Sequence, residues 1–365
     1  MLELPDFPWD SLLPFRAKAE AHPDGIVDLA IGSPIDPTPD VIQRALAAAA
    51  DAPGYPATIG SPELRAAIVN WYSRKHGVTL SATNVMPTIG SKELIALMPL
   101  FLGFGPGDVV VVPTLAYPTY AVGAVAVGAT VVVSDEPDEW PVETKLVWLN
   151  SPGNPDGRVW DVAFLKRAVE RARELGAVIA NDECYTELNW ASDEPTPSIL
   201  DPRVIGDNRR LTLSVSSLSK SSNLAGYRAG FAAGCGDVIA ELVQARKHLG
   251  LNPAGPVQAA MVAALTDDAH VTEQRERYRA RRDHLRTAFE SAGFRVDEST
   301  AGLYLWMTRD DDAWESIAAL AEIGILVAPG TFYGAAGARH VRAAITTTDE
   351  RVDAAVTRLA QFSKH

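Results

Sequence analysis

The sequence predicts an α/β protein built on a largely parallel sheet, and three observations carry that reading. Short apolar or β-branched runs recur at residues 109–112, 130–133, 145–149, 177–180, 211–215 and 228–233. Helical patterns lie between several of them; in residues 160–175, Phe164, Ala168 and Ala172 share one face. The runs are apolar throughout rather than alternating, as strands covered on both faces should be.

The elements follow in order. Ser61 before Pro62 marks a helix start, with a capping hydroxyl and a proline at the first helical position. Leu64, Ile68, Trp71 and Tyr72 then share a face. Val109–Val112 follows Gly107-Asp108 and precedes Pro113, so it reads as a buried strand. The stretch 121–133 contains glycines and reads as helix, turn and strand. From Asp237 the chain turns helical and charged, and the basic run 274–282 is expected to be the solvated face of a long helix. From Gly302 the pattern becomes strand 302–307, helix 314–323, strand 325–328, strand 340–345 and helix 349–362, a second, smaller domain. A length of 365 residues fits about two domains.

Hydrophobic content of 47% is ample for a buried interior. The net charge of −13 (33 basic, 46 acidic) argues against nucleic acid or an anionic membrane as partner, though not against a local basic pocket. The two cysteines, Cys184 and Cys235, suggest no disulfide framework and are read as small core residues. Met1-Leu2-Glu3-Leu4-Pro5-Asp6 lacks the charge and apolar run of a secretory signal, and no apolar run approaches the roughly 18 residues of a membrane span. A cytoplasmic protein is expected. The seven histidines, His22, His76, His248, His270, His284, His340 and His365, show no metal-ligand spacing, so no metal site is expected.

Chemistry is suggested first by Ser217-Leu218-Ser219-Lys220-Ser221-Ser222-Asn223-Leu224-Ala225-Gly226-Tyr227-Arg228. A lysine that bonds to an aldehyde must be partly desolvated, and neighbouring hydroxyls and a guanidinium suit a phosphate. A solvated serine-rich turn is the alternative. Asn150 to Gly157 follows a strand end and presents Asn154 from a loop stiffened by two prolines and two glycines; it is either a ligand loop or a plain turn. Asp182 ends another strand, where a buried carboxylate needs a partner such as a protonated pyridine nitrogen, or else caps a helix. Tyr185 is placed to donate to a phenolate oxygen. Gly90-Ser91-Lys92 opens a helix whose amides suit a phosphate, unless it is an ordinary cap. Tyr117 either stacks on a flat cofactor or merely packs. Phe332 and Tyr333, in Gly330-Thr331-Phe332-Tyr333-Gly334, either touch a ligand or belong to a turn.

Taken in order, these segments resemble the class I/II aminotransferases of pyridoxal-phosphate fold type I. The match runs through Gly32 with Pro34, Tyr55 to Gly60, Leu64-Arg65, Gly90-Ser91-Lys92, Tyr117-Pro118, Asn150 to Gly157, Asp182 to Tyr185, Ser217 to Arg228, and Arg342. The resemblance implies a large cofactor domain (40–270) with a mostly parallel, seven-stranded sheet, and a small α/β domain from 1–39 and 271–365. It implies that Lys220 bonds to pyridoxal 5′-phosphate and shuttles the substrate proton, and that Asp182 pairs with the pyridine nitrogen. Asn154 and Tyr185 would bind the ring hydroxyl and Tyr117 would stack on the ring. Ser91, Lys92, Ser217, Ser219 and Arg228 would hold the phosphate. Tyr55 would reach the phosphate of a neighbouring subunit, which implies a homodimer with shared active sites. Arg342, with Gly32 and Asn154, would hold the substrate α-carboxylate through a planar fork.

Within the family, Pro8-Trp9-Asp10, residues 22–29, Gly54 to Thr58, Ile89 to Leu94 and Ala116 to Tyr120 look most like the actinobacterial N-succinyldiaminopimelate group. That resemblance implies exchange of an amino group between N-succinyl-LL-2,6-diaminopimelate and 2-oxoglutarate in lysine and diaminopimelate biosynthesis. Such a substrate needs a further cation at its distal end, and Lys92, Arg16 and Arg339 are candidates. Aspartate or aromatic aminotransferases and C–S β-lyases share the same motif residues and stay open as alternatives.

Overall fold

Among the described residues, which are Leu4 and 8–362 of this computed structural model, thirteen strands form three sheets. Apart from Leu4, the segment read for a secretory signal lies outside the described residues, as does His365. In chain order the strands are β1 (Val27–Asp28), β2 (Val85–Ile89), β3 (Val109–Val112), β4 (Thr130–Val133), β5 (Thr144–Asn150), β6 (Val178–Asp182) and β7 (Thr212–Ser217). There follow β8 (Ala229–Gly234), β9 (Arg295–Asp297), β10 (Tyr304–Thr308), β11 (Ile325–Leu326), β12 (Ala328–Pro329) and β13 (Val341–Ala344).

The seven-stranded sheet has the order β2-β8-β7-β6-β5-β3-β4. Strands β4, β3, β5, β6 and β7 pair in parallel, while β8 runs antiparallel to both β7 and β2. Alternate side chains enter two separate cores. Val109, Val111, Val147, Leu149 and Ile179 face one, and Val110, Val112, Leu146, Trp148 and Ala180 face the other. This period of two, with both faces buried, explains the unbroken apolar runs. Each such side chain contributes about 1.5–3 kcal/mol on full burial. The edge strand β4 departs from the expectation, because the side chains of Thr130 and Val133 are exposed there.

A third core surrounds the antiparallel sheet β12-β13-β10-β9 and the parallel pair β1-β11. It is closed by the helices Ala269–Ser291, Ala313–Glu322 and Asp349–Phe362. The expected single strand at 325–328 is two: Ile325 and Leu326 pair with Val27 and Asp28, and Ala328 and Pro329 cross to Arg342 and Val341.

Local signals explain most element ends. Ser61 Oγ accepts from the Leu64 N–H (3.1 Å) and opens the helix Pro62–His76, a cap worth about 1 kcal/mol. Leu64, Ile68, Trp71 and Tyr72 are buried. The helix Val162–Leu175 buries Leu165, Ala168, Val169 and Ala172, whereas Phe164 turns outward to stack on Trp160 at 3.8 Å. Strand β2 had no sequence expectation; its Pro87 is tolerated because β2 is an edge strand.

The basic run 274–282 is not simply a solvated face. Gln274, Tyr278, Arg281 and Arg282 are buried. Arg281 forks onto Asp36 with two 2.7 Å bonds, and Gln274 accepts from Asn223 (2.8 Å), three residues after Lys220. Among the described residues no helix is long and apolar enough to cross a membrane.

Candidate active site

The parallel strands deliver three functional segments to one edge of the sheet. Register pairs Asn150 with Asp182, and Asp182 with Val215, so the ends of β5, β6 and β7 lie side by side. Asn150 organises the loop beyond β5. Its Nδ2 donates to the carbonyls of Asp182 (2.9 Å) and Pro152 (3.0 Å), and its Oδ1 accepts from the Asn154 N–H (2.7 Å). The loop is therefore a built structure that fixes Asn154, which is itself buried.

Asp182 is buried at the end of β6. Tyr120 Oη donates to its Oδ2 (2.9 Å) and the Cys184 N–H to its Oδ1 (3.2 Å). Burial pushes the carboxyl up, and these bonds offset part of that. No helix starts at Asp182; a turn follows, so the capping alternative does not hold. Tyr120 stacks on Trp148 (5.2 Å between centroids) and meets Tyr117 edge-on (5.7 Å). Tyr120 had no assigned part in the sequence reading.

A second group of residues forms a cradle for an anion. The helix Gly90–Phe101 springs from β2 with no side chain capping its start. Its first amides lack intrahelical acceptors and carry the positive end of the helix dipole. Gly90, with φ +70°, packs so close to Arg228 that a Cβ would lie 2.5 Å from the guanidinium. Ser217 Oγ lies 2.7 Å from Ser219 Oγ and accepts from the Ser219 N–H (3.1 Å). Glu93, in the same helical turn, is turned onto the buried Arg246. Cys184 is not a plain core residue: it is partly exposed, and its thiol donates to Ser91 Oγ (3.4 Å).

Lys220 follows β7 among buried serines, so the solvated-turn reading is corrected. Its amine donates to the carbonyl of Gly32. Burial lowers its pKa, which favours the nucleophilic free amine.

Arg342 on β13 is also buried. Its Nη1 donates to Asn154 Oδ1 and its Nη2 to the Ala30 carbonyl, both at 2.7 Å, while its Nε has no partner. Aromatic rings surround the guanidinium: Tyr304 at 3.8 Å, Tyr333 at 4.8 Å and Trp9 at 5.7 Å. Trp9 meets Phe332 edge-on at 5.2 Å. Tyr185 Oη lies 3.4 Å from Tyr304 Oη. Tyr304 and Trp9 were not foreseen as site residues, because an aromatic in an apolar strand or a terminal segment has no spacing signature.

Hydrogen bonds thus join Asp182, Asn150, Asn154 and Arg342 in one chain and Lys220 to Gly32, while Tyr185 meets Tyr304, whose ring lies under Arg342. Ser91, Ser217, Ser219 and Arg228 form the cradle, and Tyr117 stands beside Tyr120. Two expected residues stand apart: Lys92 is exposed, and Tyr55 is fully exposed. Of the candidate distal cations, Arg16 is bound to Asp28 (2.6 Å) and Arg339 is exposed beside Asp310. Among the described residues no cluster of three His, Cys, Asp or Glu side chains is arranged to hold a metal ion.

A desolvated lysine, a buried carboxylate, an uncapped helix start and a buried arginine are the groups to be explained, and sequence comparison assigns the class. The family pattern of aminotransferase class I and II matches residues 24–359, and the chain belongs to that family. It is 55% identical over 360 residues to the 4-dedimethylamino-4-oxo-anhydrotetracycline transaminase OxyQ of Streptomyces rimosus, covering 98% of this chain and all of that one. It is equally 55% identical to the probable aminotransferase Rv1178 of Mycobacterium tuberculosis, covering 98% of this chain and 85% of that one. Among solved structures, the N-succinyldiaminopimelate aminotransferase of Mycobacterium tuberculosis superposes with a TM-score of 0.86 at 28% identity, covering 96% of this chain and 97% of that one. Members of the family depend on pyridoxal phosphate, and this chain is a pyridoxal-phosphate-dependent aminotransferase. The residues present fit that group: an uncapped helix start with serine hydroxyls and a guanidinium for its phosphate, and a buried carboxylate for its ring nitrogen.

Proposed function

We propose that the enzyme exchanges the amino group of N-succinyl-LL-2,6-diaminopimelate with 2-oxoglutarate. The observation that carries the transamination site is the convergence of Lys220, Asp182 and Arg342 through Gly32, Asn150 and Asn154. When bound, pyridoxal phosphate supplies the electron sink that stabilises charge on the substrate α-carbon.

In this reading Lys220 anchors the cofactor and carries the proton at its Nζ. Asp182 holds a proton on the ring nitrogen, with Tyr120 fixing the carboxylate. Asn154 and Tyr185 donate to the ring hydroxyl, and Tyr117 covers the ring face. The Ser91 and Lys92 amides, Ser217, Ser219 and Arg228 hold the phosphate. The exposure of Tyr55 suits a residue that reaches a second subunit's phosphate, giving a homodimer. Arg342 turns its free edge to the substrate carboxylate, with Gly32 and Asn154 beside it. Lys92, Arg16 and Arg339 are the candidate cations for the distal carboxylates; of these, Arg16 is already paired with Asp28 (2.6 Å). Likeness to the solved N-succinyldiaminopimelate enzyme supports this substrate.

A second reading is an aromatic or other bulky flat substrate. The ring wall of Trp9, Tyr304, Phe332 and Tyr333 and the likeness to OxyQ favour it. The deciding experiment is a visible spectrum of the holoenzyme during addition of N-succinyl-LL-diaminopimelate, then of 2-oxoglutarate. Loss and return of the lysine-bound cofactor band supports the first reading. No response to it, with a full response to an aromatic amino acid, selects the second.

A further inference from the structure

We infer that Tyr304 is a positioning residue that ties the carboxylate clamp to the ring-hydroxyl donor, setting the orientation of Arg342 and the donor strength of Tyr185 together. The inference rests on the roles proposed above for those two residues.

Four observations meet at this side chain. Tyr304 lies on β10 opposite Ala344 of β13, while Arg342 lies opposite Trp306, so Tyr304 and Arg342 are diagonal neighbours on one face. The Arg342 guanidinium sits 3.8 Å from the Tyr304 ring centroid, and both residues are buried, where a cation–π contact is strongest. The Tyr304 hydroxyl lies 3.4 Å from that of Tyr185, with the two rings edge-on at 6.0 Å. The same phenol presses on the backbone at Gly32, where a Cβ would sit 2.7 and 2.8 Å from Cε1 and Cζ of the ring. Gly32 is the residue whose carbonyl takes the Lys220 amine. One phenol therefore touches Arg342, Tyr185 and the backbone that takes the Lys220 amine.

The direction of the hydroxyl bond follows from the proton count. Tyr185 carries one hydroxyl proton, and in the proposed role that proton is committed to the ring hydroxyl. The contact between the two phenols (3.4 Å) is then one in which Tyr304 donates and Tyr185 accepts. A phenol that accepts a bond donates more strongly in turn, and Tyr185 is thereby strengthened toward the ring hydroxyl.

Two substitutions separate the two contacts. Tyr304→Phe keeps the ring over Arg342 and removes the hydroxyl. Weaker donation by Tyr185 makes the ring oxygen more basic, so the pH midpoint of the holoenzyme's visible band should rise by about half a unit. Tyr304→Leu removes the ring face as well. Its affinity for glutarate, an unreactive dicarboxylate, should fall about tenfold, with KM rising in step and kcat changing less. The phenylalanine variant should bind glutarate as the wild type does. An unmoved midpoint in Tyr304→Phe overturns the donor role, and unchanged glutarate affinity in Tyr304→Leu overturns the clamp role. If the leucine variant fails to fold, the phenylalanine variant decides alone. Lys220→Ala and Arg342→Ala are measured alongside. Cofactor that becomes irreversibly attached on borohydride reduction of the first, or full glutarate affinity in the second, refutes the underlying site assignment rather than Tyr304.

Discussion

Glu93 and Arg246 form an ion pair at the foot of the cofactor cradle. Both carboxylate oxygens lie 2.5 Å from Nη1 of an arginine with no exposed side-chain surface. Nη2 of Arg246 donates to the Leu251 carbonyl (3.0 Å), and Glu93 also accepts from the Ile89 N–H (3.3 Å). The pair turns an acidic side chain in the first helical turn away from the anion that the helix start would hold.

Breaking this pair should be costly. Arg246→Met leaves a poorly solvated carboxylate and should lower unfolding free energy by about 3–5 kcal/mol in denaturant titration. Adding Glu93→Gln to that variant should recover part of the loss, because the two changes are coupled. Simple additivity of the two would show that the pair contributes nothing as a pair.

Lys220→Ala should lose turnover and the band of the lysine-bound cofactor, and should keep only the free aldehyde's absorbance, while still binding pyridoxal phosphate without a covalent bond. Equilibrium dialysis with an absorbance scan checks both. Turnover at the wild-type rate would place the anchoring amine elsewhere.

Tyr120 holds one oxygen of Asp182, and its bond pulls against the upward push of burial. Tyr120→Phe should therefore raise the Asp182 carboxyl further and move the acid limb of the kcat/KM profile to higher pH. Loss of one such buried bond amounts to about 1–3 kcal/mol. An acid limb that stays in place would mean another group controls it.

Glu183, next to Asp182, is fully buried beside Tyr72 and Ser214. Its oxygens accept from Asn181 Nδ2, Ser198 Oγ, Ser214 Oγ and the Ile199 N–H, but no cation faces it among these partners. Burial pushes its pKa from 4.5 up to about 7, against the hydrogen bonds. Between those values the folded protein keeps a proton that the unfolded chain releases. Stability should fall as pH rises through this window, by about 3 kcal/mol at most. Glu183→Gln should remove that slope in melting curves from pH 4.5 to 7.5; an unchanged slope would assign it to another group.

The parallel strands were readable because both of their faces are buried, which leaves an unbroken apolar signal. Strand β2 was not, since Pro87 argues against a strand unless its edge position is known. The run 274–282 misled because charge suggests solvent, whereas Arg281 is paired with Asp36 from far away in the chain. Lys220, Asp182 and Asn154 stood out through the strand ends and loops that carry them, and Arg342 only through the family resemblance. Their supports did not: Tyr120, Tyr304 and Arg246 act through contacts between distant segments that no local pattern encodes.

The reversed direction of β8 has a consequence for how the enzyme can change. Because β8 runs back along β7, its first residues return to the edge where β7 ends, and Lys220 and Arg228 share one short connection. In the proposed site, the phosphate contacts are thus largely a local property of one hairpin and the helix beside it. The grip on substrate joins residue 342 to residues 30 and 154. Apart from Asn154, which the proposed site uses for both, different stretches of gene encode the two, so substitutions around Arg342 and Trp9 should alter the choice of amino donor while the phosphate stays held.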